Sequence, residues 1–93
     1  MHLRDEQQLR ASREVLSRQL DGETVLLDLG GGRYYSLNEV GSAVWDRLAG
    51  EPTLGSLVRA LLSEFDVEEA TLRADLDALL QDLLERGLVE LAD

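Results

Sequence analysis

Residues 21–50 read DGETVLLDLGGGRYYSLNEVGSAVWDRLAG, and the fold turns on where the hydrophobic period changes inside them. Asp21-Gly22 favours the positive φ values of a tight hairpin turn. The stretch TVLLDL, Thr24 to Leu29, is β-branched and aliphatic enough for the strand that should follow. Gly30-Gly31-Gly32 reads as a second turn, because a further extended stretch, RYYSL from Arg33 to Leu37, comes next. Val15, Leu16 and Leu20 supply a strand before the first turn, so the three stretches form an antiparallel meander. At Asn38 the period passes from two to 3.6. Asn38 is a good N-cap, Val40, Val44 and Leu48 fall on one stripe with Ala43 and Trp45 beside it, and Gly50 closes this first helix.

Working towards the C-terminus, Pro52-Thr53 opens a second helix with Leu54, Leu57, Val58, Leu61, Leu62 and Phe65 on one face. Asp66 and Glu69 have the spacing of a capping box, which predicts a third helix starting there and carrying Leu72, Leu76, Leu79, Leu80 and Leu83. Arg86-Gly87 reads as its last turn and αL cap, and Leu88 to Leu91 as a short tail that packs back. Towards the N-terminus, residues 1–12 are polar with little periodicity. They read as an arm, frayed or disordered, with no assigned role, ahead of a single domain spanning 13–93. Three strands followed by three helices with short connections give an α+β class, the helices gathered on one side of the sheet in a winged-helix-like order.

Ninety-three residues hold one modest core. No apolar run approaches the length that spans a bilayer, and the N-terminus lacks the apolar stretch of a secretory signal, so the expected location is cytoplasmic. Nine basic residues, all arginine, stand against 19 acidic ones, and the net charge of −10 repels nucleic-acid phosphates and anionic lipid alike. Neither nucleic acid nor membrane is an expected partner, and that charge outweighs the DNA-binding analogy of a winged-helix order.

Enzyme chemistry finds few parts here. There is no cysteine, no lysine and one histidine, His2, so serine and threonine lack their usual base. Carboxylate pairs such as Asp75/Asp77 and Glu68/Glu69 read as the solvated face of a helix. The triple glycine lacks the helix start and Lys-Ser/Thr of a phosphate loop, and no stretch has the alternating oxygens of a calcium loop. No cofactor or metal is implied.

What remains is the edge of the meander. If the strands pair in sequence order, Arg33–Leu37 lies at an edge with free backbone N–H and C=O groups and neither proline nor lysine to blunt it. A peptide could add there as a further strand, with side-chain pockets setting which peptide is accepted. The third helix can supply those pockets, since its leucines span a wider arc than a core-facing helix needs. Tyr34 and Tyr35 must point to opposite faces, one to the core and the other to solvent or the groove. The same edge could instead pair with a second copy, as an acidic adaptor or strand-exchanged dimer with no peptide substrate, and from their spacing alone Leu76, Leu79 and Leu83 read as core rather than groove.

From Asp21 to Leu91 the chain resembles the PqqD-like family, in DGETVLLDL, GRYYSLNEVGSAVWDRLAG, ALLSEF and LRADLDALLQDLLERGLVE. The strongest pieces are Leu37-Asn38 with Gly41 and the Trp45 helix, Ala74-Asp75-Leu76, and Arg86-Gly87-Leu88. The resemblance implies a non-catalytic recognition element for ribosomally made, post-translationally modified peptides, whose leader peptide adds as a strand against the third helix. Carried over by position, Arg33, Tyr34, Tyr35, Ser36 and Leu37 form the edge, with Tyr34 or Tyr35 as a wall. Asp75, Leu76, Leu79, Leu80 and Leu83 form the helical side, Asp75 facing a basic or amide group of the leader. The implied partners are a precursor peptide and a modifying enzyme, either a radical S-adenosylmethionine protein as in pyrroloquinoline quinone-type pathways or a leader peptidase as in lasso-peptide pathways.

Overall fold

The computed structural model describes residues 3–50 and 53–92. The elements run β1 (Gln8–Ala11), β2 (Val15–Leu20), β3 (Glu23–Asp28), β4 (Arg33–Leu37), α1 (Glu39–Leu48), α2 (Leu54–Glu64), α3 (Glu69–Glu85) and β5 (Val89–Ala92). Strands β2, β3 and β4 form the antiparallel meander in that order, so β2 and β4 are its edges. Asp21 and Gly22 take φ of 50° and 83°, the two left-handed residues that a type I′ turn requires.

The glycine loop closes differently. Gly32 has φ of 65°, the Gly32 N–H donates to the Asp28 carbonyl, and the Gly30 N–H donates to the Asp28 carboxylate at 3.0 Å.

Register assigns the faces. Thr24 pairs with Leu37 and Leu26 with Tyr35, and Thr24, Leu26 and Leu37 are buried, so the face carrying Thr24, Leu26, Asp28, Arg33, Tyr35 and Leu37 is the inner one. The outer face carries Leu16, Arg18, Leu20, Val25, Leu27, Tyr34 and Ser36. Under the inner face lies one core joining Leu26 and Leu37 to Val44, Leu48, Leu57, Val58, Leu61, Leu72, Leu76, Leu80 and Leu83.

Helix starts follow local chemistry. Asn38 caps α1, its Oδ1 accepting from the Gly41 N–H at 2.9 Å, and a Cβ on Gly41 would meet the Leu37 side chain at 3.2 Å, so a larger residue there would have to push Leu37 aside by a few tenths of an ångström. Thr53 caps α2 through Ser56. Pro52 lies outside the described residues, as do Met1 and His2. The capping box expected at Asp66 and Glu69 does not form. The segment stays extended through Glu68, α3 begins at Glu69, and Glu68 caps it without a side-chain bond. Gly87, with φ of 73°, ends α3 in a Schellman motif: Leu88 N–H donates to the Leu83 carbonyl and Gly87 N–H to that of Leu84.

The N-terminal segment differs most from expectation. Strand β1 pairs with β5 as a separate two-stranded sheet, Leu9 opposite Leu91, and Leu9 is 2% exposed within the core. Leu54 N–H donates to Gln7 and Gly55 N–H to Asp5, while Asp5 takes a two-pronged bond from Arg73 at 2.8 and 3.1 Å. That bond holds the Asp5 carboxyl below its usual range. Residues 3–12 are thus stitched to α2, α3 and the C-terminal strand rather than standing apart as an arm. Leu9 and the partly buried Leu3 are the apolar contacts of this segment, and the rest of its anchoring is hydrogen bonds and ion pairs, which leave no periodicity to register.

Candidate functional site

The hydrogen-bond ladder identifies which atoms of the β4 edge are free. A two-residue turn bonds its flanking residues to each other, so Leu20 and Glu23 are a hydrogen-bonded pair. Such pairs alternate along antiparallel strands, and Leu29 N–H donating to the Glu14 carbonyl at 2.8 Å keeps the same phase. On β3, therefore, Glu23, Val25 and Leu27 bond to β2, and Thr24, Leu26 and Asp28 bond to β4. Their partners Arg33, Tyr35 and Leu37 spend their backbone groups inside the sheet. Tyr34 and Ser36 turn theirs outward, two N–H donors and two C=O acceptors in a row. Of the five residues expected at the edge, these two present the bonding groups and the other three set the inner face.

Beside this edge runs α3. At 100° per residue, Asp75, Leu79, Asp82 and Arg86 fall within an arc of about 60°. The stripe is tied to β4 at one point: the Tyr35 hydroxyl donates to Asp82 Oδ2 at 2.6 Å, Arg86 Nε donates to Asp82 Oδ1 at 3.0 Å, and the Arg86 guanidinium lies 4.8 Å from the centre of the Tyr35 ring. The bond from Tyr35, with help from Arg86, lowers the Asp82 pKa, and the same bond raises that of Tyr35. Next to this cluster a cavity of about 330 Å³ is lined by Asp28, Gly31, Arg33, Tyr34, Tyr35, Glu85, Arg86 and Leu88.

The helical residues expected in the site divide. Leu76, Leu80 and Leu83 are 2%, 0% and 1% exposed and belong to the core, as does Leu37 at 2%. Asp75 is exposed and Leu79 partly buried, and both fall on the same helical arc as Asp82. Tyr35 turns inward to α3 while Tyr34, 77% exposed, stands on the outer face. Asp82 and Arg86 were not among the expected residues. The signal for them was the Asp-x-x-x-Arg spacing four apart on a helix, in line with Asp75 and Leu79. Among the described residues no group of three or more His, Asp or Glu could hold a metal ion, and no helix is long and apolar enough to cross a membrane.

Comparison with known proteins agrees with this architecture. The structure of TbiB1 in complex with the TbiA(beta) leader peptide is similar over 90% of this chain and 99% of its own, with 35% identity and a TM-score of 0.82. A lasso peptide synthetase B1 complexed with the leader peptide is similar over 89% and 98%, with 30% identity and a TM-score of 0.78. Among curated proteins nothing matches. The family model for coenzyme PQQ synthesis protein D matches residues 23–89, which run from the second strand of the meander through α3 into β5, and the chain belongs to this PqqD family.

Proposed function

We propose that this chain is a non-catalytic recognition element: it takes the leader segment of a ribosomally made precursor peptide as a fourth strand on β4, over α3, and presents it to a modifying enzyme or leader peptidase. The observation that carries the reading is the open edge at Tyr34 and Ser36 flanked by the Asp75–Arg86 stripe, in a chain whose two solved relatives each hold a leader peptide. Four main-chain bonds at roughly 0.5–1.5 kcal/mol net each give a base affinity independent of sequence. Specificity comes from the alternation of the added strand. Every second side chain points inward onto Asp75, Leu79, Asp82 and Arg86, and those between extend the outer face beside Tyr34. The chain contributes position and not chemistry, with neither cysteine nor lysine to act as nucleophile or base.

The test is titration of the protein with the leader half of the precursor peptide encoded beside its gene, followed by Trp45 fluorescence and backbone amide NMR. Saturable binding with shifts concentrated in Arg33–Leu37 and the α3 stripe is expected. No binding at high micromolar peptide overturns the proposal and favours self-pairing through the edge.

A further inference from the structure

Resting on strand addition at β4, the cavity at the Arg33 end of the groove asks for a particular side chain. Its polar atoms are unevenly satisfied. Both oxygens of Asp82 are engaged, one by Tyr35 and one by Arg86 Nε. The terminal nitrogens of Arg86 make no hydrogen bond among the described residues, and the Arg33 side chain makes neither hydrogen bond nor ion pair there. Asp28 has one oxygen committed to the Gly30 N–H, and neither it nor Glu85 forms an ion pair with either guanidinium. With Asp82 the cluster holds three carboxylates and two arginines, a net charge of −1; Glu85 and the second Asp28 oxygen are open acceptors, whereas the unspent capacity next to Tyr35 is the donor capacity of Arg86.

In the free protein those N–H groups are open to solvent. The Arg86 side chain is 52% exposed and that of Asp82 38%. A strand added to β4 would cover them, and a donor covered without an acceptor costs more than a neutral hydrogen bond returns. Asp82 and Tyr35 also fix the Arg86 guanidinium in one plane, which suits a planar, two-oxygen or oxygen-bearing partner. We infer that this cavity is a specificity subsite for one oxygen-acceptor side chain of the bound peptide, a carboxylate or carboxamide, on the inward residue opposite Arg33. Arg86 and Arg33 are its donors, and Tyr35 and Asp82 position Arg86.

The experiment uses the full chain and the same leader segment, synthesised as a series in which each residue in turn becomes Glu, Gln, Leu or Lys. At one position Glu or Gln should bind on the order of tenfold tighter than Leu, with Lys weakest. Glu above Gln marks the acceptor as a carboxylate, and equal affinities mark a carboxamide-compatible site. Arg86→Met, which keeps the aliphatic stem, and Arg33→Met should each narrow that gap while leaving the ranking at every other position unchanged, which a merely structural role would not do. Binding with no acceptor preference anywhere, or a preference that survives both substitutions, overturns the subsite alone. Failure of every peptide to bind the unsubstituted protein overturns it together with strand addition.

Discussion

The meander has two open edges whose inner flanks differ, while its outer face holds a depression of about 480 Å³ that Leu16, Leu20, Leu27 and Tyr34 help to line. The β2 edge is the longer, six residues against five, and by the same ladder phase its Ser17 and Gln19 turn their backbone groups outward, while the Val15 N–H is donated to the Ser12 carbonyl at 3.4 Å. It too lacks proline and lysine. What differs is the flank. Beside β2 lies the acidic side of α1, where Gln19 Nε2 already donates to Asp46 Oδ2 at 2.8 Å and the shallow depression holds Glu39, Asp46 and Glu64. Beside β4 lies a stripe that passes from Leu79 to the Tyr35–Asp82–Arg86 cluster and ends in a cavity. A free ladder offers any peptide the same bonds, so it is the surface beneath the added strand that separates a recognition edge from an idle one.

Proline scanning breaks this comparison most directly. Ser36→Pro removes an edge-directed N–H without touching the β3 ladder and sets a ring in the path of an added strand. Leader affinity should fall on the order of a hundredfold, one lost bond plus the clash that spoils its neighbours. Ser17→Pro makes the same change on β2 and should leave affinity within about twofold. Isothermal titration of both variants, with circular dichroism to confirm that the sheet is intact, reads the result. Equal losses would mean that the two edges are equivalent and that the flank decides nothing.

The flank itself is the next lever. Leu79→Ala removes a partly buried apolar side chain from the stripe while leaving Leu76, Leu80 and Leu83 in the core. Affinity should drop roughly fivefold, as expected for about 1 kcal/mol of apolar contact with the peptide. Asp46→Asn, on the flank of β2, should leave it unchanged.

A pH series sharpens the comparison further, because only the β4 flank joins strand to helix through a titratable pair. The Asp82 pKa is lowered, so its contribution is complete above the ordinary value of 3.8 and is lost as pH falls through the depressed one. The Tyr35 pKa is raised, so its contribution is complete below the ordinary value of 10.0 and is lost as pH rises through the elevated one. Between these limits the pair's contribution to stability should be level, and above them the melting temperature should fall modestly because the pair is partly exposed, a loss that Tyr35→Phe should abolish.

How much of this could be read in the sequence follows from what leaves a period. The meander and helices were legible because Asp21-Gly22, the glycine run, Asn38 and Gly87 mark each change of direction and the apolar residues between them repeat. Strand β1 was not, since Leu9 is its one buried residue. Capping at Asp66 was misread because residue spacing alone cannot tell a helix start from an extended approach. The edge was legible as soon as strand order was, whereas the choice among the α3 leucines was not: Leu76, Leu80 and Leu83 lie on the core side of one arc and Leu79 at its border. Asp82 carried no signal of its own and Arg86 read only as the last turn of the helix, and only the fold shows that Tyr35 reaches Asp82 from 47 residues away.

The smallest expected effect on binding comes from the strand between the edges. Thr24 lies opposite Gln19 on β2 and Leu37 on β4, and its hydroxyl, buried at 1% residue exposure, has no hydrogen-bond partner among the described residues. Valine keeps the β-branched shape and removes the orphaned oxygen, so Thr24→Val should raise stability by about 1 kcal/mol. In a chain of this size that is a rise of roughly 4–8 °C in Tm. Leader affinity should stay within about twofold, because the residue touches neither the outward atoms of Tyr34 and Ser36 nor the α3 stripe. A stabilised variant with altered affinity would show that the β4 edge depends on the tightness of the whole sheet, and the contrast between the two edges would then have to be sought in the ladder after all.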